Sequence, residues 1–168
     1  MTTLSITIPG SRERAAQDTE ALLRVFTRGG TLGGLAGLEP QELEALYAYG
    51  LGYYQQARYA DALKVFARLV ALRHGEPRYL NALAASHQML GQHAQAVHFY
   101  GLSQLLDKKD PSPTFHTATS LLALGLVEEA IDALDLVVRQ CEGHEARRAL
   151  GTRARAQLEL VRERVASV

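Results

Sequence analysis

The sequence has a single cysteine, Cys141, so no disulfide can form within the chain and no cysteine-based zinc site can be built. A lone thiol fits a reducing compartment, and a cytoplasmic location is expected. Surplus charge is also missing: 18 Lys and Arg balance 18 Asp and Glu. Binding to nucleic acid or to an acidic membrane surface rests on excess positive charge, so neither is expected. Long hydrophobic runs are absent. The longest stretch without Asp, Glu, Lys or Arg is Tyr79 to Leu106, 28 residues, and it carries Asn81, His87, Gln88, Gln92, His93, Gln95, His98 and Gln104. Those polar groups are costly in hydrocarbon, so direct membrane insertion is not expected. The first 11 residues hold no basic side chain and are interrupted by Pro9-Gly10, which argues against a secretory signal there.

What the chain does have is repetition. Its 168 residues, 47% of them hydrophobic, suffice for one domain or a short repeat array with a buried core. Ala62, Ala96 and Ala130 each precede a branched apolar residue and stand 34 residues apart. The same step relates the small residues Gly50, Ala84 and Ala118, and the large residues Phe66, Tyr100 and Leu134. Ala57, Gly91 and Gly125 keep it too, each where a helix must stop, as do Pro77 and Pro111 at helix starts. A 34-residue period of this kind resembles the tetratricopeptide repeat, a helix-turn-helix unit. The small residues let paired helices approach, and the large one fills the space between units. The predicted fold is therefore all-α: a solenoid of three repeats over about 43–76, 77–110 and 111–144. An ordinary helical bundle with coincidental spacing is the alternative.

The expected helices are 12–28, then 40–55 with 59–72, 77–90 with 93–106, 111–124 with 127–140, and a last one over about 144–165. This divides the chain into an N-terminal extension (1–38), the repeat region (39–144) and a C-terminal capping helix (145–168). The segment 12–28 is amphipathic, with Ala16, Leu22, Leu23, Val25 and Phe26, and a glycine-rich stretch from Gly29 to Gly37 follows it. The capping helix carries six Arg and three Glu and reads as a solvated solenoid end. Binding of an acidic partner there is the less favoured reading.

No catalytic constellation emerges. The six histidines form no His-Glu-x-x-His pattern, and His93 and His98, five apart, do not share a helix face. No nucleophile elbow is present. Gly29-Gly30-Thr31-Leu32-Gly33-Gly34 lacks the Gly-Lys-Ser/Thr ending of a phosphate loop. No metal, cofactor or enzymatic activity is expected. A surface remains: in tetratricopeptide arrays the first helix of each unit lines a concave groove. Taking Ala62 as the twentieth residue of its unit puts positions two, five, nine, twelve and thirteen on that face. The predicted lining is Tyr47, Leu51, Tyr54 and Gln55; then Arg78, Asn81, Ala85, Gln88 and Met89; then Ser112, Phe115, Thr119, Leu122 and Ala123. It is mostly apolar, aromatic and neutral polar, which suits an extended peptide with apolar anchors. Packing of some of these side chains against the N-terminal helix or a second subunit is the competing use.

Several stretches go beyond the generic repeat: Leu43-Glu44-Ala45-Leu46-Tyr47, Tyr54-Gln55-Gln56-Ala57-Arg58-Tyr59-Ala60-Asp61-Ala62, Lys64-Val65-Phe66, Met89-Leu90-Gly91-Gln92, Ala96-Val97-His98-Phe99-Tyr100-Gly101, and Pro113 with Phe115-His116-Thr117-Ala118. With an N-terminal extension and one terminal helix around three repeats, the chain over roughly 12–150 resembles the SycD/LcrH family, the class II chaperones of bacterial type III secretion. That resemblance implies a protein that stabilises hydrophobic translocator proteins in the cytoplasm before secretion. It implies an extended translocator segment in the concave groove and a homodimer formed through the N-terminal region. Ala57 stands where the family commonly has glycine. A generic tetratricopeptide adaptor and a needle-subunit chaperone are the other readings. Adaptors that clamp a peptide carboxylate need Lys, Asn and Arg at set groove positions, and Tyr47 and Leu51 stand at the first-repeat ones.

Overall fold

The computed structural model describes residues 37–167, so the expected helix over 12–28 and nearly all of the glycine-rich stretch lie outside the described residues. Within them the chain forms seven α-helices and no strand: α1 (Pro40–Gln55), α2 (Tyr59–Leu72), α3 (Pro77–Met89), α4 (His93–Leu106), α5 (Ser112–Ala123), α6 (Val127–Cys141) and α7 (Arg148–Ala166). A short 3-10 turn, Glu145–Arg147, leads into α7. Each helix packs on its sequence neighbours, and α3 also touches both α1 and α5. The result is an inner layer of α1, α3 and α5, backed by α2, α4 and α6. This is the expected three-repeat tetratricopeptide solenoid, closed by α7.

The 34-residue period is visible at every level. Ala62, Ala96 and Ala130 are fully buried, as are Ala84 and Ala118. Phe66, Tyr100 and Leu134 fill the space opposite them, at 0, 2 and 0% exposure. In the first repeat the approach is closest: a Cβ placed on Gly50 would lie 2.6 Å from Phe66 Cε1. The turns repeat as well. Arg58 N–H donates to Tyr53 O, Gln92 N–H to His87 O and Leu126 N–H to Leu121 O, at 2.9, 2.9 and 3.0 Å. These are Schellman caps, which need a left-handed residue just before the donor. Gly91 and Gly125 supply it at φ 72° and 76°. Ala57 adopts the same conformation at φ 58°, although its Cβ makes that costly.

One of the two proline starts differs from expectation. Pro77 opens α3 as its first residue, but Pro111 is the cap residue of α5 rather than its first helical position, and Pro113 sits in the first turn. Asp110 Oδ1 accepts from Ser112 N–H at 2.9 Å and satisfies a donor that the helix leaves free. At the other end Ala154, Leu158 and Val161 of α7 are buried, and Ala154 and Leu158 pack with Phe115, Leu134 and Val137. The outward arginines pair at the surface, Arg162 with Asp135 at 2.6 Å and Arg148 with Glu145 at 2.7 Å. Such exposed pairs add little stability and mainly keep the solenoid end wet. Among the described residues no helix is long and apolar enough to cross a membrane.

Candidate peptide-binding groove

The concave face holds a depression of about 340 Å³ between the inner helices. Tyr47, Leu51 and Tyr54 of α1 form one wall; Arg78, Asn81, Ala82 and Ala85 of α3 form the floor; Ser112, Pro113 and His116 of α5 form the other wall. Phe66 and Tyr100 reach the bottom from the outer layer. Seven of the sequence-predicted residues, Tyr47, Leu51, Tyr54, Arg78, Asn81, Ala85 and Ser112, therefore meet in one place. Aromatic packing fixes the α1 wall: the Tyr47 ring lies 5.8 Å from Phe66 and 5.4 Å from Tyr79, and Tyr54 meets Tyr59 edge-on at 5.2 Å.

The other predicted residues lie elsewhere. Phe115 is 5% exposed and belongs to the core between α5, α6 and α7, with the Arg153 guanidinium 4.9 Å from its ring. Thr119 is exposed outside the depression and its hydroxyl donates to Phe115 O on its own helix. Leu122 lines a separate hollow with Val127, Glu128, Val161, Arg164 and Val165. Phe115 is buried because Ala154 and Leu158 of α7 pack on its side of α5. Ser112, expected at position two of the third unit, does line the groove, joined by Pro113 and His116 at positions three and six. Gln55 and Met89 stand exposed at helix ends, Met89 at 49%, outside the lining.

Gln88 has a different role from the one expected. Its Nε2 donates to His116 O at 3.1 Å and to Ser120 Oγ at 2.9 Å, and its Oε1 accepts from the Tyr100 hydroxyl at 3.3 Å. This side chain rivets α3 to α5 and to α4, and sets the width of the groove. Phe66, Ala82, Tyr100, Pro113 and His116 are the groove residues that the sequence reading missed as lining, and Tyr100 and His116 pack on each other. Their rings stack, with centroids 5.5 Å apart.

The groove is electrically quiet. Burial raises the hydroxyl pKa of Tyr47, Tyr54 and Tyr100, so all three remain neutral phenols. Burial, then the nearby Arg153 charge, lowers the His116 pKa and favours the neutral ring. Arg78 is the one charged side chain in the lining, and it is matched. Its guanidinium pairs with Glu44 one repeat earlier, with the second contact at 3.2 Å, lies 3.5 Å from Glu76, and sits 5.1 Å from the Tyr47 ring. An apolar segment entering this site buries no unpaired ion, which would otherwise be a large cost. Among the described residues no group of three or more His, Cys, Asp or Glu is placed to hold a metal ion.

Fold and groove together define a tetratricopeptide-type solenoid that offers a neutral, aromatic concave face to an extended segment. The comparisons narrow that class. A family model for the anaphase-promoting complex, cyclosome, subunit 3 matches residues 55–137. Low calcium response locus protein H of Yersinia pestis is 33% identical over 147 residues, covering 87% of this chain and 88% of that protein. Among solved structures, the Yersinia enterocolitica translocator chaperone SycD in complex with a peptide of the translocator YopD is 33% identical with a TM-score of 0.72, covering 75% of this chain and 96% of that one. SycD has also been solved as an alternative dimer. PcrH of Pseudomonas aeruginosa, bound to the chaperone-binding region of PopD, is 37% identical with a TM-score of 0.74, covering 76% and 96%. PcrH is also known bound to the corresponding region of PopB. The chain belongs to this family of type III secretion translocator chaperones.

Proposed function

We propose that this chain holds a hydrophobic translocator protein in the bacterial cytoplasm before its secretion, with an extended client segment lying across α1, α3 and α5. The observation that carries the reading is the groove itself: Tyr47, Leu51, Tyr54, Asn81, Ala85 and His116 converge on one neutral, largely apolar depression. Aromatic walls supply contact area at low entropic cost. The work is passive holding, with no catalytic step, cofactor or metal assigned. Covering part of the apolar surface of a pore-forming client suffices to stop its aggregation. The extension over 1–38 is proposed as the dimerisation element and 145–168 as the cap, around the repeat region 39–144.

The test is calorimetric titration of the full chain with three synthetic peptides, the YopD, PopD and PopB segments recognised by its relatives. Saturable one-to-one binding of at least one of them is expected. If PcrH binds its own PopD peptide in parallel while this chain binds none of the three, the reading fails.

A further inference from the structure

Two side-chain amides of α3, one lining the groove and one beside it, are in different states. The hydrogen-bonding capacity of Gln88 is spent inside the protein, on His116 O, Ser120 Oγ and the Tyr100 hydroxyl. Asn81 is the opposite case. It stands on the middle inner helix and lines the groove with Ala82, Ala85 and the tyrosine wall, and its buried Oδ1 has no hydrogen-bond partner among the described residues. The other buried oxygens and nitrogens without partners, on Tyr79, His93 and Gln140, belong to residues outside the groove lining. An unpaired buried acceptor is a standing cost to the free protein, and protein interiors rarely tolerate one. Two other polar groups nearby are engaged, Arg78 by Glu44 and Glu76, and the Ser112 N–H by Asp110.

We propose that Asn81 reads the main chain of the held segment, its side-chain amide pairing with one peptide unit so that Oδ1 accepts the backbone N–H of a single client residue. This rests on the groove reading above and makes it more specific. Apolar contact is non-directional, so tyrosine walls alone would let a segment slide. One hydrogen bond from a fixed point on α3 sets the register, and with it which client side chains meet Tyr47 and Tyr54. The torsion that carries the Asn amide is broad, so rotation about it on binding can bring Oδ1 to the open side. An extended segment presents its N–H groups outward along its length, and proline has none. The client position opposite Asn81 is thus one that excludes proline.

The experiment pairs a backbone scan with two variants. In the tightest-binding of the three peptides, each amide is replaced in turn by an ester, which removes one N–H without adding bulk. Titration against the wild-type chain should show one position where the ester weakens binding about tenfold. Against Asn81→Leu and Asn81→Ala that same ester should make no difference, while the all-amide peptide binds those variants about tenfold more weakly than wild type. Thermal melting should leave Asn81→Leu at least as stable as wild type, since it removes an unpaired oxygen. A scan without a sensitive position overturns the inference, and so does an ester effect that persists in both variants. Failure of every unmodified peptide to bind would instead overturn the groove reading, and the inference with it.

Discussion

Two glycines on α1, Gly50 and Gly52, lie two positions apart and should respond oppositely to the same substitution. Gly52 has nothing within 4 Å of where a Cβ would sit. Alanine there brings only its better helix propensity, so Gly52→Ala should stabilise by about 0.5–1 kcal/mol. At Gly50 the added methyl would lie 2.6, 3.0 and 3.1 Å from three atoms of the Phe66 ring. That ring is fully buried and packs on Tyr47, so it has nowhere to retreat. Overpacking of this kind costs about 1–3 kcal/mol, against a propensity gain of at most about 1 kcal/mol, and a net loss of roughly 1–2 kcal/mol follows. Urea unfolding followed by circular dichroism should therefore move the two midpoints in opposite directions. Phe66→Leu, which shortens the obstructing ring, should recover about 1 kcal/mol or more of the Gly50→Ala loss in a double-mutant cycle. A Gly50→Ala protein as stable as Gly52→Ala would refute the claim that helix approach in the first repeat is set by this contact.

Ala57→Gly should raise the melting temperature, with a gain of about 1 kcal/mol, because φ 58° is easy for glycine and strained for alanine; unchanged melting counts against the strain. For His116 the folded-state pKa lies below the ordinary 6.5, so the unfolded chain takes up its proton first as pH falls. Stability and groove binding should be full above about pH 6.5 and decline below it, and His116→Gln should show a shallower decline in melts taken across that range. Sedimentation should give a dimer for the full chain and a monomer after deletion of 1–38; the same state for both would remove the proposed role of the extension.

Six of the seven described helices fall within a residue of their sequence-read bounds, α7 alone starting four residues late behind its 3-10 turn, and the reason is physical. Tight packing of helix on helix demands a small residue at one contact and a large one opposite, and Ala62, Ala96 and Ala130 against Phe66, Tyr100 and Leu134 write that demand into the sequence at a fixed step. The groove was half legible. Tyr47, Leu51, Asn81 and Ala85 occupy inner-face positions that the first two repeats share, so one register found them. Phe115 and Thr119 hold the corresponding third-repeat positions, but Phe115 is buried against Ala154 and Leu158 of α7, Thr119 is exposed outside the depression, and His116 lines it. Cover by a later helix is not encoded in a local pattern. The role of Gln88 was hidden for a related reason: its three hydrogen bonds reach residues 12 to 32 positions away.

The central claim is that the client lies in the groove between α1, α3 and α5. It is tested most directly by titrating the tightest-binding translocator peptide against Tyr54→Ala, Leu51→Ala and Lys64→Ala, with folding of each checked by circular dichroism. Tyr54 and Leu51 line the groove, whereas Lys64 is a solvated side chain of the outer helix α2, 76% exposed. A few buried aromatic and apolar anchors usually carry most of an interface's energy, so the two groove variants should each lose about 1–3 kcal/mol, roughly tenfold to a hundredfold in affinity, while Lys64→Ala binds as wild type does. Equal weakening by all three, or undiminished binding by the groove variants, would place the client on another face of the solenoid.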